Sequence, residues 1–372
     1  MISTHVRRAA LGAVVCSLLA VPGAEAQRPT RDDQLRPTEL LSRGPNGEAP
    51  NAPVSEPVLS QDERVSQYAA YVTAATNIVA NSGTFKNAYL VKRKRPWGQN
   101  GTPWNFGSTQ LISKGIGGPA NGDSWSVSLS GTDFHNPKCM VFVSNASNLV
   151  RGDTNGRADV FHANLPSGKL TRFAGNAPVT EAVTEGSCEY FGYVAGGSLY
   201  LKRDGERVKR IARGGVTNPH ISVEGRVITY ERGGWIYGYV PAHLGKPKRL
   251  RKVAQGTNHS VDFYGRYVAF QRGDAIMRAD VLTAPRVRAV TRSGAPGNAR
   301  GRDPVMTGGG GWVWWGSGAE LLLNIRERIQ GRCGSNGVAG GGIEQPDTSP
   351  HGNYAVFICT NGPAYLLYEG PK

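Results

Sequence analysis

The sequence predicts an all-β fold, a β-propeller of four-stranded blades, on three observations. Short runs rich in Val, Phe, Tyr and Thr recur along the chain between turn-forming clusters, the signature of an antiparallel strand meander. Past the early units, which carry long insertions, these runs repeat about every forty residues, the period of one blade. Finally, 50 Gly and 23 Pro are spread through the apolar pattern of the 372 residues, which fits many turns and excludes a chain disordered throughout.

The N-terminus reads as an export signal. Arg7 and Arg8 precede an apolar stretch, Ala9–Val21, and Ala24-Glu25-Ala26 offers a small-x-small cleavage site. That stretch is too short for a membrane anchor, and Val15 is bulky where lipoprotein processing at Cys16 wants a small residue. Residues 1–26 are therefore expected to be removed, 27–37 to be a polar lead-in, and 38–372 to form the propeller. A secreted or periplasmic location follows, without a transmembrane anchor.

An internal echo sets the order of strands. Residues 38–60 (TELLSRGPNGEAPNAPVSEPVLS) resemble 109–130 (TQLISKGIGGPANGDSWSVSLS), and 291–307 (TRSGAPGNARGRDPVMT) resemble both. Each contains the last strand of one unit, a crossing loop and the first strand of the next. The paired inner strands are Tyr68–Thr73 with Ala88–Lys92, Met140–Ser144 with Val160–Ala163, and Phe191–Ala195 with Ser198–Lys202. Next come Val227–Glu231 with Trp235–Tyr239, and Tyr267–Gln271 with Ala275–Ala279. The last are Trp312–Trp315 with Glu320–Asn324, and Tyr354–Cys359 with Ala364–Tyr368. Seven blades are expected, or six if one degenerate pair shares a blade. The final unit lacks an outer strand, and Thr38–Ser42 is an outer strand without a unit. Pairing the two closes the ring and satisfies both sets of backbone groups.

After signal removal four cysteines remain, and three pairings are open. Cys139 and Cys188 stand at the heads of second strands in successive units, which favours Cys139–Cys188 with Cys333–Cys359. The formal charge is +15; an excess of this size fits anionic partners, although a solvated basic surface has the same composition.

The string SNASNLVRGDTNGRADVF at 144–161, flanked by Ser128-Leu129-Ser130-Gly131 and Ser167-Gly168-Lys169-Leu170-Thr171-Arg172, resembles the repeat of TolB-like β-propellers of bacterial envelopes. Residues 71–90, 264–270 and 351–357 are weaker copies. The resemblance implies a propeller that binds proteins or envelope components through its faces. Related propellers also gate serine peptidases or act as lyases on acidic sugars, so fold does not choose among these.

No catalytic set stands out. There is no G-x-S-x-G elbow, since Gly316-Ser317-Gly318 lacks the spacing, and no H-E-x-x-H. His220 and His259 occupy equivalent places on neighbouring first strands and could face the channel together. With nearby Arg or Lys they would suit a lyase or hydrolase acting on acidic polysaccharide. The competing reading is two satisfied polar residues of the channel wall. Asp153, Asn155 and Asp159 lie on one turn and could contribute oxygens to Ca²⁺, but three ligands fall short of six to eight, and an Asx turn explains them equally. No other cofactor is indicated.

Lys92, Arg93, Lys94 and Arg95, with Trp97 and Trp104, bring bases and aromatics into one long insertion, a pattern suited to an anionic or stacking partner. Lys246–Lys252 forms a second basic cluster. Trp312, Trp314 and Trp315 read as blade packing. The expectation is a monomeric, non-catalytic binding or scaffolding propeller that takes a protein or anionic envelope polymer on one rim, with nucleic acid disfavoured.

Overall fold

The computed structural model describes residues 35–61, 66–94, 103–131, 137–173, 175, 177–241, 249–283, 286–291, 301–323, 328–334 and 338–368. Residues 1–34, where the signal segment and most of the lead-in are expected, Arg95, Trp97, residues 246–248 and the core of the third echo (292–300) lie outside this set.

Seven antiparallel four-stranded sheets form a ring. The first strands of blades 1 to 7 are Val54–Leu59, Ser124–Leu129, Val179–Thr184, Val216–Ile221, Thr257–Val261, Gly301–Met306 and Ile343–Thr348. Six blades are built from consecutive strands. The seventh takes its outer strand from the other end of the chain, with Thr38, Glu39 and Leu40 paired to Leu367, Leu366 and Tyr365. The amides of Leu41 and Ser42 continue the contact by donating to the Ala364 carbonyl, at 2.9 and 3.3 Å. Seven blades and this closure agree with the sequence.

The second strands are almost unbroken apolar runs because both of their faces are buried. Side chains alternate across a strand, so neighbours in sequence serve opposite junctions. Met140 and Phe142 pack against blade 1, whereas Val141 and Val143 pack against blade 3. Trp315 faces blade 5 and Trp314 faces blade 7. Each junction thus holds its own apolar cluster, including Tyr71, Tyr89, Tyr354 and Val356 where blade 7 meets blade 1. Trp314 and Trp315 are packing residues, as expected; Trp312 is partly exposed.

Two local devices fix the blades. Inner hairpins of blades 3 and 4 turn through Gly196-Gly197 and Gly233-Gly234 with all four φ positive, the conformation that matches strand twist and that glycine adopts without strain. A buried polar residue just past each first strand then accepts from amides at the start of the second. Examples are Tyr68 N–H to Ser60, Cys139 N–H to Ser130, Val227 N–H to Ser222 and Tyr267 N–H to Asp262.

The sequence echo repeats in hydrogen bonds. Asn51 and Asn77 bridge the loop into blade 1, and Asn121 and Asn148 make the same pair of bonds in the loop into blade 2. The cysteines pair as Cys139–Cys188, linking blades 2 and 3, and Cys333–Cys359, linking blades 6 and 7.

Candidate functional site: the channel wall and the outer edge

The first strands surround a central cavity of about 610 Å³, within the range of small-ligand sites. Its wall is built by a repeated irregularity. In six blades a residue near the start of the first strand has positive φ, between 47° and 53°: Glu56, Ser126, Asn218, Asp303 and Gln345 at the third position and Asn258 at the second. A register shift accompanies each. Blade 3 bulges one position earlier, before Glu181. Bulges re-aim side chains, and left-handed backbone at non-glycine residues persists only where the surroundings hold it.

Here the restraint is a circumferential chain of hydrogen bonds that crosses every blade junction. The Glu56 amide donates to Gln345 Oε1 (2.6 Å), and the Val127 amide to Glu56 Oε2 (3.1 Å). The Ala182 amide donates to Ser126 Oγ (2.8 Å), and the Asn218 amide to Glu181 Oε2 (2.7 Å). Asn218 Nδ2 reaches the His259 carbonyl (3.0 Å), and Asn258 Nδ2 reaches Asp303 Oδ1 (3.4 Å). The Gln345 amide closes the circle on Asp303 Oδ2 (3.4 Å). The six positive-φ residues and Glu181 all line the cavity.

Two positions further along the strands lies a second tier: Val58, Ser128, Val183, His220, Ser260, Val305 and Asp347. Asp347 Oδ2 accepts from the Leu59 amide at 2.7 Å. Burial nevertheless pushes its carboxyl up to about 6, and burial raises Glu56 and Glu181 as well. Beyond this tier the turns after the first strands touch one another. The Val223 amide donates to the Phe263 carbonyl (2.8 Å) and the Gly131 amide to Gly186 (2.8 Å). A Cβ on Gly186 would also lie 3.4 Å from the ring of Phe263, two blades away.

The two histidines do meet, ring centroids 4.9 Å apart and edge to face. Both imidazoles of the pair are occupied. His259 is 2% exposed; its Nδ1 lies against Glu231 Oε1 and its Nε2 against Thr229 Oγ1, each at 2.9 Å. Burial would raise Glu231, but bonds from His259 and Asn218 outweigh it and hold the carboxyl below its usual range. His220 bonds Asn218 Oδ1 at 3.1 Å. Desolvation, then the neighbouring His259, pulls His220 down to about 3, so it stays neutral. Among the described residues no Arg or Lys, such as a lyase would want beside them, lines the cavity.

The basic insertion divides. Lys92 and Lys94 are exposed. Arg93 is 3% exposed and Trp104 1%, so these two do not form part of an open surface. Arg93 Nε donates to the Trp104 carbonyl and Trp104 Nε1 to the Ser66 carbonyl, each at 2.7 Å. Together they pin the insertion to its blade.

Asp153, Asn155 and Asp159 converge as expected, with the Arg172 guanidinium among them. Arg172 pairs with Asp153 and lies 3.2 Å from Asp159 Oδ2, which also accepts from Asn155 Nδ2 at 2.8 Å. Burial raises the Asp159 carboxyl. The fixed charge that offsets these acids is therefore supplied by the chain itself. His162 Nε2 lies 3.3 Å from Cys188 Sγ, but that sulfur is bonded to Cys139 and is no thiolate ligand.

Sequence reasoning missed the channel acids Glu56, Glu181, Asp303 and Asp347. One signal was available: a polar residue before Pro recurs as Glu56-Pro57, Asn218-Pro219, Asp303-Pro304 and Gln345-Pro346, and Pro within a strand pattern marks a bulge.

The outer edge contrasts with the wall. In blades 2 to 6 every fourth strand carries Lys or Arg, and none carries Asp or Glu. Lys209, Arg210, Arg249, Lys252 and Arg288 are exposed there. Lys252 Nζ lies 3.5 Å from the centre of the Trp235 ring, and Arg232 lies 4.7 Å from that of Tyr237.

No protein-family profile matches the chain, and no curated protein matches it in sequence. Among solved structures, the β-propeller domain of Cps50 (Swd1) from Myceliophteria thermophila is similar, with a TM-score of 0.52 and 12% identity. The match covers 87% of this chain and 100% of that one. At that identity it establishes the fold alone.

Proposed function

We propose that this protein is an exported, non-catalytic binding propeller of the TolB-like kind, whose basic outer edge holds an anionic polymer of the cell envelope or an acidic protein. The reading rests on one observation: bases without acids on the fourth strands of five successive blades, several of them exposed. Clustered like charge attracts polyanions over a Debye length, and the Trp235 ring beneath Lys252 holds its cation in place. Two disulfides and a cleavable leader are in keeping with export. No helix among the described residues is long and apolar enough to cross a membrane.

Titration of labelled polyphosphate at rising salt tests this. Binding is expected to weaken steeply with salt, and Lys209→Glu/Arg249→Glu/Lys252→Glu to bind at least tenfold less tightly. An absence of binding at low salt, or an unchanged affinity in the triple variant, overturns the reading.

A further inference from the structure

The cavity carries an inference that does not depend on the outer edge. We propose that the channel is a binding site for an elongated organic cation of the polyamine class, whose charged nitrogens are met by Glu56, Glu181, Asp303 and Asp347. These carboxylates line the cavity in blades 1, 3, 6 and 7. Each accepts from neutral amide groups and none has an ion pair within 4 Å among the described residues; Glu56 feels a base, Lys86, only at longer range. Arg302, the one Arg or Lys on the first strands, has a side chain outside that set. A desolvated carboxylate without a counter-charge is costly, and a bound ammonium supplies the missing charge.

A second observation points to a ligand. Ser260 is 8% exposed and Asp262 0%. Both line the cavity, yet Ser260 Oγ and Asp262 Oδ2 have no hydrogen-bond partner. Buried polar atoms are nearly always satisfied, so these mark places where a donor and acceptor from outside the chain would fit.

The spread of the acids selects the shape of the ligand. Among the described residues, the one group of three His, Cys, Asp or Glu whose ligand atoms lie within 4.8 Å of one another is Cys139, His162 and Cys188, away from the channel. The carboxylates therefore do not converge as a divalent cation requires. They stand apart around the wall, with Val58, Val183 and Val305 between polar neighbours in the second tier. Separated charges with apolar wall between them complement ammonium groups joined by methylene spacers.

Calorimetric titration of spermidine and cadaverine into the full chain tests this. Saturable binding of spermidine at one site is expected, tighter than that of cadaverine, which has fewer charges. Glu181→Gln/Asp347→Asn should weaken it at least tenfold, whereas Lys209→Glu/Arg249→Glu/Lys252→Glu should leave it unchanged. Glu56→Gln serves as a second variant if the double variant fails to give a folded circular-dichroism spectrum. The proposal is overturned by no spermidine heat at millimolar concentration, by affinity retained in the folded carboxamide variants, or by calcium chloride binding at the same acids and excluding spermidine. Failure here with polyphosphate binding intact would leave the outer-edge reading standing.

Discussion

The channel wall and the outer edge are made of the same kind of strand and treat charge in opposite ways. On the wall, carboxylates sit on bulged first strands, accept from backbone amides and are pushed upward by burial, as at Asp347 and Glu181. On the edge, bases sit on the fourth strands in water, as at Lys252 over the Trp235 ring. Position in the ring thus decides what a charge does. Near the axis it is desolvated; at the periphery it is screened by water and salt.

The contrast is broken most severely at Glu231. This carboxylate accepts from the His259 amide, His259 Nδ1 and Asn218 Nδ2, and thereby holds the blade 4–5 junction beside the cavity. Glu231→Ala leaves those donors unsatisfied and should cost about 3 kcal/mol, with bonds to a charged acceptor among the stronger ones. Urea unfolding measures it, and a change below about 1 kcal/mol would show that water replaces the carboxylate.

An intermediate effect, opposite in sign, is expected at Asp347. Its folded-state value of about 6 lies above the ordinary 3.8, so the folded protein keeps this proton longer than the unfolded chain. Stability from this group is complete below about pH 4 and is lost as pH rises through 6. His220 does the reverse: pulled from 6.5 to about 3, it contributes above about pH 6.5 and loses its contribution as pH falls towards 3. Asp347→Asn retains an oxygen for the Leu59 amide and removes the buried charge. It should therefore stabilise the protein at neutral pH by roughly 1–3 kcal/mol. Because the compensating group is gone, the variant should also lose stability more steeply than the parent between pH 6 and 4. Thermal melts across that range read both effects, and parallel curves would count against them.

The smallest effect belongs to the edge. Lys252→Ala removes an exposed cation over Trp235 and should change stability by less than about 1 kcal/mol. It should still lower polyphosphate affinity measurably at low salt. A larger loss of stability would mean that the edge holds the blade together rather than presenting a surface.

Much of the fold was legible in the chain. The inner-strand pairs, the outer strand waiting at Thr38 and the two cysteine pairs all depend on local pattern or on the order of repeats, and all appear in the structure. The candidate site was legible in part. His220 and His259 lie side by side, but the groups that bond His259, Thr229 and Glu231, come from the second strand of the neighbouring blade. Arg93 and Trp104 read as a basic aromatic surface because composition carries no record of which way a side chain turns. In the fold they satisfy backbone carbonyls of their own blade.

The sequence by itself determined where strands begin, where they turn and that the last blade borrows its edge from the first residues of the ring. Those are short-range matters of side-chain alternation and turn chemistry. Only the tertiary structure decided that the bulged residue of each first strand would line a cavity shared by seven blades, and that the acids there would be desolvated. Desolvation and counter-charge belong to the assembled ring, since the groups that set them come from strands distant in the chain.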